Sequence, residues 1–562
     1  MDNIKNIEII VQMLKAHQLN YIVISPGGTN QALIKMVQDD PFFTCYSIVD
    51  ERSALYFAIG LYLQYRKPIV TSCTSAQATR NYIPGLTEAF YKKVPILAIS
   101  MCKHPRFTYQ EYMQAPDQAS LPKDCVKQSF VLPCISDEND VIHATRLVNE
   151  SILSLTDGSF GPVQLCVPWL DFPINKSSFD DNKIIKRIER GEGLGDLLKN
   201  KRIMICIGEH FPFEINLQNA IEEFCEKNNV VVYTNHLSNY HGHYSIQGNI
   251  PLLVMNFENF VNELQPELLI TIGGQTGDYP FYNLFSRMDI QGIEHWRVSP
   301  DGRIVDTYDK LTKTIRMSEL EFFIDLNRQI PNKTSSHELY NKWLALCQLI
   351  NLNVKVPFSA ISVAQYLCGK LPANSILQFS ILNSLRVWNM FHVDPSIECY
   401  SNVGAFGIDG GMSTLIGQSV ATDKMSFMII GDLSFLYDIN SISIRHIKNN
   451  LRILIINNAG GVEFKIWGGD HKKIDKYIAA AGHYRNAEGW AKTCGFMYLS
   501  ARTQQEFEGL VDAFTERSDH PIVFEVFVSD RDEAKAYSDM LANNQTLSLS
   551  GKAKKLIKRV IG

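Results

Sequence analysis

The chain lacks closely spaced cysteines, a basic excess and any long apolar run. Its twelve cysteines are scattered, and the closest pair, Cys125 and Cys134, is nine residues apart, which excludes CxxC and zinc-type spacing. Lysine and arginine number 54 against 59 acidic residues, a balance that argues against nucleic acid as a partner. No run approaches the ~20 apolar residues of a membrane span, and the start MDNIKNIEII lacks the apolar core of a signal peptide. We therefore expect a cytoplasmic protein with reduced thiols and no membrane span.

Short apolar runs alternate with helical patterns along most of the chain. Runs such as YIVIS, PIVTSC and VPILAIS, with helical segments between them, are typical of βαβ units in a parallel sheet that is covered on both faces. A charged stretch near residue 180 interrupts this rhythm, and the segment NKTSSHELYNKW precedes a third unit. We predict an α/β protein of three consecutive doubly wound parallel-sheet domains, spanning residues 1–180, 181–354 and 355–562.

Two apolar runs of the third unit end in polar residues, the first in Gly431-Asp432 and the second in Asn457-Asn458. The carboxyl ends of parallel strands face the ligand crevice of such sheets, and one crossover would bring these two ends together. A carboxylate with an amide oxygen suits Mg²⁺ or Ca²⁺ rather than zinc. The pattern thus predicts a metal-bridged diphosphate, with backbone N–H groups near Ser434 facing the anion. The alternative is that Asp432 caps a helix and the two asparagines form a turn.

This Gly-Asp to Asn-Asn pattern resembles the cofactor motif of thiamine diphosphate-dependent enzymes. Within that superfamily the sequence is similar to the family of 2-succinyl-5-enolpyruvyl-6-hydroxy-3-cyclohexene-1-carboxylate synthases of the menaquinone pathway. The stretches that carry the likeness run the length of the chain: ISPGG (24–28), VDERSA (49–54), NYIPGLTEA (81–89), HWRVSPDGR (295–303), SNVGAFGIDGGMST (401–414) and GDLSFLYDIN (431–440). The resemblance implies a pyrimidine-binding domain, a Rossmann-like central domain and a pyrophosphate-binding domain, the first and third with the thiamine diphosphate-binding fold. It also implies thiamine diphosphate and Mg²⁺ as cofactors.

The resemblance assigns expected roles to individual residues. Glu51 matches the glutamate that exchanges a proton with the aminopyrimidine ring, and Gln118 resembles a glutamine near the reacting carbon, so both are expected to be catalytic. Asp432, Asn458 and the carbonyl of Gly460 match the metal ligands. The residues expected to contact the cofactor are Gly27, Asn81, Asn383, Ser384, Ile408, Gly431, Ser434 and Asn458. From the residues alone, Glu51 could instead be a surface carboxylate paired with Arg52, and Gln118 a polar loop residue.

The resemblance also implies an oligomer. In this superfamily the glutamate faces a cofactor that the partner subunit's third domain holds. A homodimer or homotetramer with sites at the subunit interface is therefore implied, and a single chain is expected not to complete a site.

The chain departs from the synthase family at the basic positions that bind carboxylates. These positions hold Gly28, Thr29, His104, Asp278, Tyr279, Trp388 and Val403. Because an unpaired buried carboxylate is costly, a polyanionic acceptor is expected to bind poorly.

We therefore predict a carboligase that decarboxylates a 2-oxo acid and passes the acyl fragment to a keto sugar or another small carbonyl acceptor. The alternatives are a simple 2-oxo acid decarboxylase, the menaquinone-pathway synthase itself and a non-catalytic cofactor-binding scaffold.

Two further features have open roles. His471 and His483 follow the metal motif and could act as acid–base groups near the reacting carbon. The terminal segment GKAKKLIKRVIG is basic, which is typical of a solvated helix and compatible with contact to an anionic surface.

Overall fold

The computed structural model describes residues 2–169, 185–198, 201–287, 289–330, 337–466, 477–480, 482–483 and 485–545. His471 and the basic terminal segment lie outside these residues. Within them the chain forms three sheets in which the strands pair in parallel. The predicted α/β architecture of three consecutive parallel-sheet domains is confirmed. Each sheet lies inside one of the three predicted ranges, whose exact boundaries stay predictions.

The first domain contains a six-stranded sheet. Its strands are β1 (Tyr21–Ile24), β2 (Thr44–Ser47), β3 (Ile69–Cys73), β4 (Ile96–Lys103), β5 (Ser129–Val131) and β6 (Val163–Trp169). Its helices are Asp2–Ala16, Gln31–Val37, Glu51–Tyr65, Ala78–Asn81, Ile83–Tyr91 and Glu138–Ser154. The strand order is β2-β1-β3-β4-β6-β5. All five residues of β3 are buried, as expected for a central parallel strand covered on both faces.

The central domain contains a seven-stranded sheet. Its strands are β7 (Lys186–Ile188), β8 (Arg202–Ile207), β9 (Asn229–Thr234), β10 (Ser245–Gln247), β11 (Leu268–Ile272), β12 (Glu294–Val298) and β13 (Leu311–Ile315). Its helices are Ile215–Lys227, Asn249–Val254, Phe257–Asn259, Tyr279–Phe285, Glu319–Gln329 and Glu338–Gln348. The order β10-β9-β8-β11-β12-β13 is that of a Rossmann-like sheet, and β7 extends it beyond β13.

The third domain contains a second six-stranded sheet. Its strands are β14 (Ile376–Phe379), β15 (Glu398–Ser401), β16 (Ser426–Gly431), β17 (Leu451–Asn457), β18 (Met497–Ala501) and β19 (Ile522–Phe527). Its helices are Ala360–Leu367, Asn383–Trp388, Gly411–Val420, Asp432–Tyr437, Glu463–Ile466, Glu488–Thr493, Gln504–Thr515 and Asp530–Asn544. The order β15-β14-β16-β17-β19-β18 repeats that of the first sheet, so the two outer domains share one topology.

This shared strand order positions the candidate site. In each outer sheet the first strand lies between the second strand, which forms the edge, and the third. The loops that follow the first and third strands therefore diverge and open a crevice at the carboxyl ends of the strands. The loops after β1 and β3 face those after β14 and β16 across one cavity.

The central domain clamps a loop of the first domain. Arg297 on β12 donates from both terminal nitrogens to the carboxylate of Glu111, at 2.7 and 2.6 Å. Asp306 and Thr307 donate hydrogen bonds to the side chain and carbonyl of Gln110. The clamped loop holds three non-glycine residues at positive φ: Tyr109, Glu111 and Gln114. Such strain costs about 1–3 kcal/mol per residue, so the contacts with the central domain are needed to maintain it.

None of the helices in the described part of the chain is long and apolar enough to cross a bilayer.

Replacing Arg297 with methionine should destabilise the protein by about 3–5 kcal/mol, because Glu111 would keep a partly buried charge without its partner. Thermal unfolding followed by circular dichroism measures the effect. Arg190→Met is the matched control: its ion pair with Glu321 is exposed and should contribute less than about 1 kcal/mol. Equal losses of stability in the two variants would contradict a stabilising role of the Arg297–Glu111 ion pair.

Candidate active site

One cavity collects most of the predicted site residues. It lies between the first and third domains and is lined by loops at the carboxyl ends of their strands. The predicted residues that line it are Gly27, Glu51, Asn81, Asn383, Ser384, Ile408, Gly431, Asp432, Ser434, Asn458 and Gly460. Residues that are more than 400 positions apart in the sequence therefore meet at one place.

In this structure both halves of the cavity come from a single chain. Glu51 of the first domain and Asp432 of the third line it together. The outer domains of this chain pack with their crevices facing each other. The contribution of a partner subunit to the site stays a prediction, as does the oligomeric state.

The first domain contributes a buried acid. Asp50 caps helix Glu51–Tyr65 by accepting a hydrogen bond from the Ser53 N–H, which places Glu51 in the first turn, at the cavity. Only 7% of Glu51 is exposed. Burial raises its pKa to about 7, against the opposing effect of a hydrogen bond from the Tyr437 hydroxyl to Oε2 at 2.5 Å. Asn81 in turn donates to the Tyr437 oxygen at 2.6 Å. Glu51 can thus hold or release a proton near neutral pH.

The third domain contributes a set of oxygen donors. Asp432 follows β16 and is buried, and its Oδ2 accepts a hydrogen bond from the Gly460 N–H at 3.0 Å. The Oδ1 atom of Asn458 is buried without a hydrogen-bond partner. Asn457 points elsewhere, donating to Glu525 at 2.7 Å. A buried carboxylate beside an unsatisfied amide oxygen fits a hard divalent cation such as Mg²⁺.

Asp432 is the first residue of its helix, and Gly431 occupies the N-cap position, so the capping alternative is not realised. The Asp432 Oδ1 atom accepts a hydrogen bond from the Leu433 N–H at 2.7 Å at the start of helix Asp432–Tyr437. A carboxylate has enough lone pairs to accept this bond and ligate a cation as well. No cluster of three His, Cys, Asp or Glu side chains in the described residues could hold a metal, so the donor set here depends on Asn458 and backbone oxygen.

His483 contacts Asp432 and is not among the described lining residues of the cavity. Its Nε2 is 3.0 Å from Asp432 Oδ2, and its side chain is 5% exposed. The sequence suggested acid–base work near the reacting carbon, whereas the structure places this histidine against the predicted metal ligand.

Small polar groups line the region around Gly431. A Cβ atom added to Gly431 would meet nothing within 4 Å, so this backbone borders open space. Ser434 shares a hydrogen bond with Ser380 at 3.0 Å and donates to the Ile408 carbonyl. Asn383 accepts a hydrogen bond from Arg386 at 3.0 Å through its oxygen, which leaves its NH₂ group available to an anion. These groups suit the diphosphate of a cofactor.

Strained backbone surrounds the cavity. Five non-glycine lining residues have positive φ: Ala76, Gln114, Leu382, Phe406 and Ala480. Strain of this kind concentrates at functional sites, where the surrounding fold maintains it.

Gln118 is not among the lining residues. It is 2% exposed, and its NH₂ group donates to Thr79 at 2.8 Å and to the Met101 carbonyl at 3.1 Å. Its oxygen accepts a hydrogen bond from the N–H of Ala76, one of the strained lining residues. Gln118 thus supports the cavity wall from behind, and the expectation that it lies at the reacting carbon is not met.

Five of the seven positions at which the chain departs from the synthase family fall into two groups. Trp388 and Val403 are buried in the core and do not line the cavity. Gly28, Thr29 and Tyr279 line a second cavity, which shares Gly28 and Gln114 with the first and also contains Lys103.

Three ionisable lining residues were not among the predicted site residues: Tyr437, Asp409 and Glu463. Tyr437 lies within the quoted stretch GDLSFLYDIN and Asp409 within SNVGAFGIDGGMST, so a signal for both was present. Glu463 lies outside the quoted stretches.

The raised pKa of Glu51 predicts a pH-dependent stability. Between about pH 4.5 and 7 the unfolded chain loses the Glu51 proton while the folded chain keeps it, so stability falls as pH rises. Relative to Glu51→Gln, the wild type should lose roughly 3 kcal/mol across this window without cofactor. Glu533, whose pKa is also raised to about 7 by burial, is present in both proteins and cancels. Thermal unfolding at several pH values checks this, and a constant difference would contradict it. Glu508→Gln, at an exposed position, is the control.

Comparison with known proteins agrees with this geometry. Residues 4–121 match the family described as thiamine pyrophosphate enzyme, N-terminal TPP binding domain. Proteins named 2-succinyl-5-enolpyruvyl-6-hydroxy-3-cyclohexene-1-carboxylate synthase are similar along nearly the whole chain. The one from Phocaeicola vulgatus is 34% identical over 93% of this chain and 95% of its own. Those from Bacteroides fragilis and Bacteroides thetaiotaomicron are each 31% identical over 95% of this chain and 98% of their own.

The predicted resemblance is thereby confirmed, as is the expectation of an enzyme that uses thiamine diphosphate with a divalent metal. The chain belongs to the thiamine diphosphate-dependent enzymes and, within them, to the family of the 2-succinyl-5-enolpyruvyl-6-hydroxy-3-cyclohexene-1-carboxylate synthases.

Proposed function

We propose that this protein is a thiamine diphosphate- and Mg²⁺-dependent carboligase that decarboxylates a 2-oxo acid and transfers the acyl fragment to a carbonyl acceptor. The observation that carries the proposal is a cavity with two different sides. One side holds Glu51, an acid whose pKa is raised to about 7, and the other holds the oxygen donors of Asp432 and Asn458. A scaffold that merely binds the cofactor would not need the acid.

Each residue has a separate task in this proposal. Glu51 exchanges a proton with the cofactor's aminopyrimidine ring, and Tyr437, which donates to its Oε2, fixes the orientation of the carboxyl. Asp432, Asn458 and the carbonyl of Gly460 hold the cation that binds the diphosphate. When bound, the cofactor supplies the electron sink for loss of CO₂. Ile408 provides apolar contact, and the loops around it exclude water.

The charge of the lining supports a substrate class that differs from that of the named relatives. The acidic side chains that line the main cavity are Glu51, Asp409, Asp432 and Glu463, and none of its described lining residues is Lys, Arg or His. In the second cavity Lys103 is the one cation among the described lining residues. The relatives' name describes a product with several carboxylates, which such a lining would leave unpaired. We therefore propose an acceptor of lower negative charge, such as a keto sugar or another small carbonyl compound.

The proposal predicts release of CO₂ from at least one 2-oxo acid in a panel, with thiamine diphosphate and Mg²⁺ present and candidate acceptors added in turn. Glu51→Gln should lower the rate at least 100-fold, because general acid–base catalysis contributes about 10²–10⁴-fold. Free aldehyde without an acceptor would favour a simple decarboxylase. Consumption of no oxo acid at all would favour a non-catalytic scaffold.

The second candidate is the activity that the relatives' name describes. It is favoured by 31–34% identity along nearly the whole chain. Efficient turnover of 2-oxoglutarate with isochorismate in the same assay would establish it and overturn the proposed difference in substrate class.

The metal site has its own prediction, which uses two neighbouring asparagines. Asn458→Ala should raise the Mg²⁺ concentration needed for cofactor binding at least about tenfold, because it removes a ligand oxygen. It should cost little stability, since that oxygen has no protein partner. Asn457→Ala should leave the Mg²⁺ requirement nearly unchanged and lower the stability, because the Asn457 side chain is held by Glu525. Calorimetry with thiamine diphosphate at graded Mg²⁺, together with thermal unfolding, separates the two effects. Similar changes in both variants would contradict the assignment.

A further inference from the structure

A buried ion pair forms part of the cavity wall. Arg386 donates from Nη1 to Glu463 Oε2 at 2.6 Å, and the two side chains are 7% and 19% exposed. The same nitrogen donates to Asn383 Oδ1 at 3.0 Å. Glu463 and Asn383 line the cavity, whereas Arg386 is not among the described lining residues. The wall therefore presents a carboxylate to the cavity, with its guanidinium partner behind it.

This ion pair lies beside the predicted metal and diphosphate site. Glu463 belongs to the same loop as Asn458 and Gly460, which begins at the end of β17. Arg386 belongs to helix Asn383–Trp388, which follows β14. The pair thus connects the two loops that border the predicted metal and diphosphate site.

The chemistry of arginine explains what the pair could control. A guanidinium binds carboxylates in a bidentate fork, and a buried one would be a strong site for a substrate carboxylate. Glu463 already pairs with this guanidinium from within the chain, through one hydrogen bond from Nη1. The second carboxylate of a dicarboxylic substrate near this wall would meet the negative charge of Glu463 and not a cation. Such repulsion produces specificity against this class of substrate.

We propose that Glu463 determines substrate specificity by masking Arg386, so that the site takes 2-oxo acids whose chain carries no second carboxylate. This inference rests on the proposed function, since it names the donor class for the same cavity. Glu463 is a specificity-determining residue here, not a proton-transfer group.

The chain offers a matched control in a second buried ion pair. Lys465 donates to Asp530 at 2.6 Å, and the lysine side chain is 5% exposed. Neither residue is among the described lining residues of the main cavity. Removing the Asp530 charge changes the net charge by the same amount as removing that of Glu463, but at a place that does not face the substrate.

Binding of non-reacting acids tests the proposal without turnover. Glutarate and butyrate are titrated into wild type and Glu463→Gln by calorimetry, with the protein alone and again with thiamine diphosphate and Mg²⁺. We expect Glu463→Gln to bind glutarate at least about tenfold more tightly than wild type, because the Glu463 charge no longer repels the second carboxylate or neutralises Arg386. Butyrate binding should stay unchanged.

Two variants identify the cause of any gain. Asp530→Asn should leave glutarate binding unchanged, and adding Arg386→Met to Glu463→Gln should abolish the gain. No gain in Glu463→Gln, or an equal gain in Asp530→Asn, would overturn the proposal. If Glu463→Gln fails to fold by circular dichroism, Glu463→Ala is tested in the same way, since it removes the same carboxylate.

A turnover arm separates this inference from the proposed function. In the cofactor-loaded enzyme, the ratio of kcat/KM for 2-oxoglutarate to that for 2-oxobutyrate should rise at least about tenfold in Glu463→Gln. A wild type that already prefers 2-oxoglutarate would overturn the inference. A wild type that consumes no oxo acid would overturn the proposed function, while the calorimetric arm would still decide whether Glu463 masks Arg386.

Discussion

The hydrogen bond from Tyr437 to Glu51 joins the first domain to the third across 386 positions of sequence. The candidate site exists only where these domains meet, because each supplies one half of its chemistry. Burial at this junction raises the pKa of Glu51 to about 7, and the tyrosine hydroxyl gives the carboxyl a fixed partner. The interface between the outer domains therefore creates both the cavity and the acid's proton affinity.

The matching topologies of the outer domains explain how the two halves come together. Both sheets have the same strand order, so each opens a crevice beside its first strand. Facing crevices enclose a cavity with loops from both sides and with backbone groups available to a ligand. The central domain stabilises this arrangement from outside, since Arg297 holds Glu111 in the strained loop that also carries Gln114.

The distribution of charge separates cofactor chemistry from substrate choice. In the proposed function Glu51, Asp432 and Asn458 serve the cofactor. Arg386, in contrast, is neutralised by Glu463 and does not reach the lining. In our proposal the cofactor site of the family is kept while the substrate class differs, because the two properties depend on different side chains.

The sequence by itself determined the three α/β domains and the polar ends of β16 and β17. Alternating apolar runs and strand-end residues are local signals, and Asp432 and Asn458 could be found from them. Glu51 needed the family resemblance, since a lone glutamate resembles any surface acid. Only the tertiary structure decided that Gln118 supports the wall from behind, that both outer domains of this chain line one cavity, and that Glu463 neutralises Arg386. These facts depend on contacts between residues distant in sequence, and no local pattern encodes such packing.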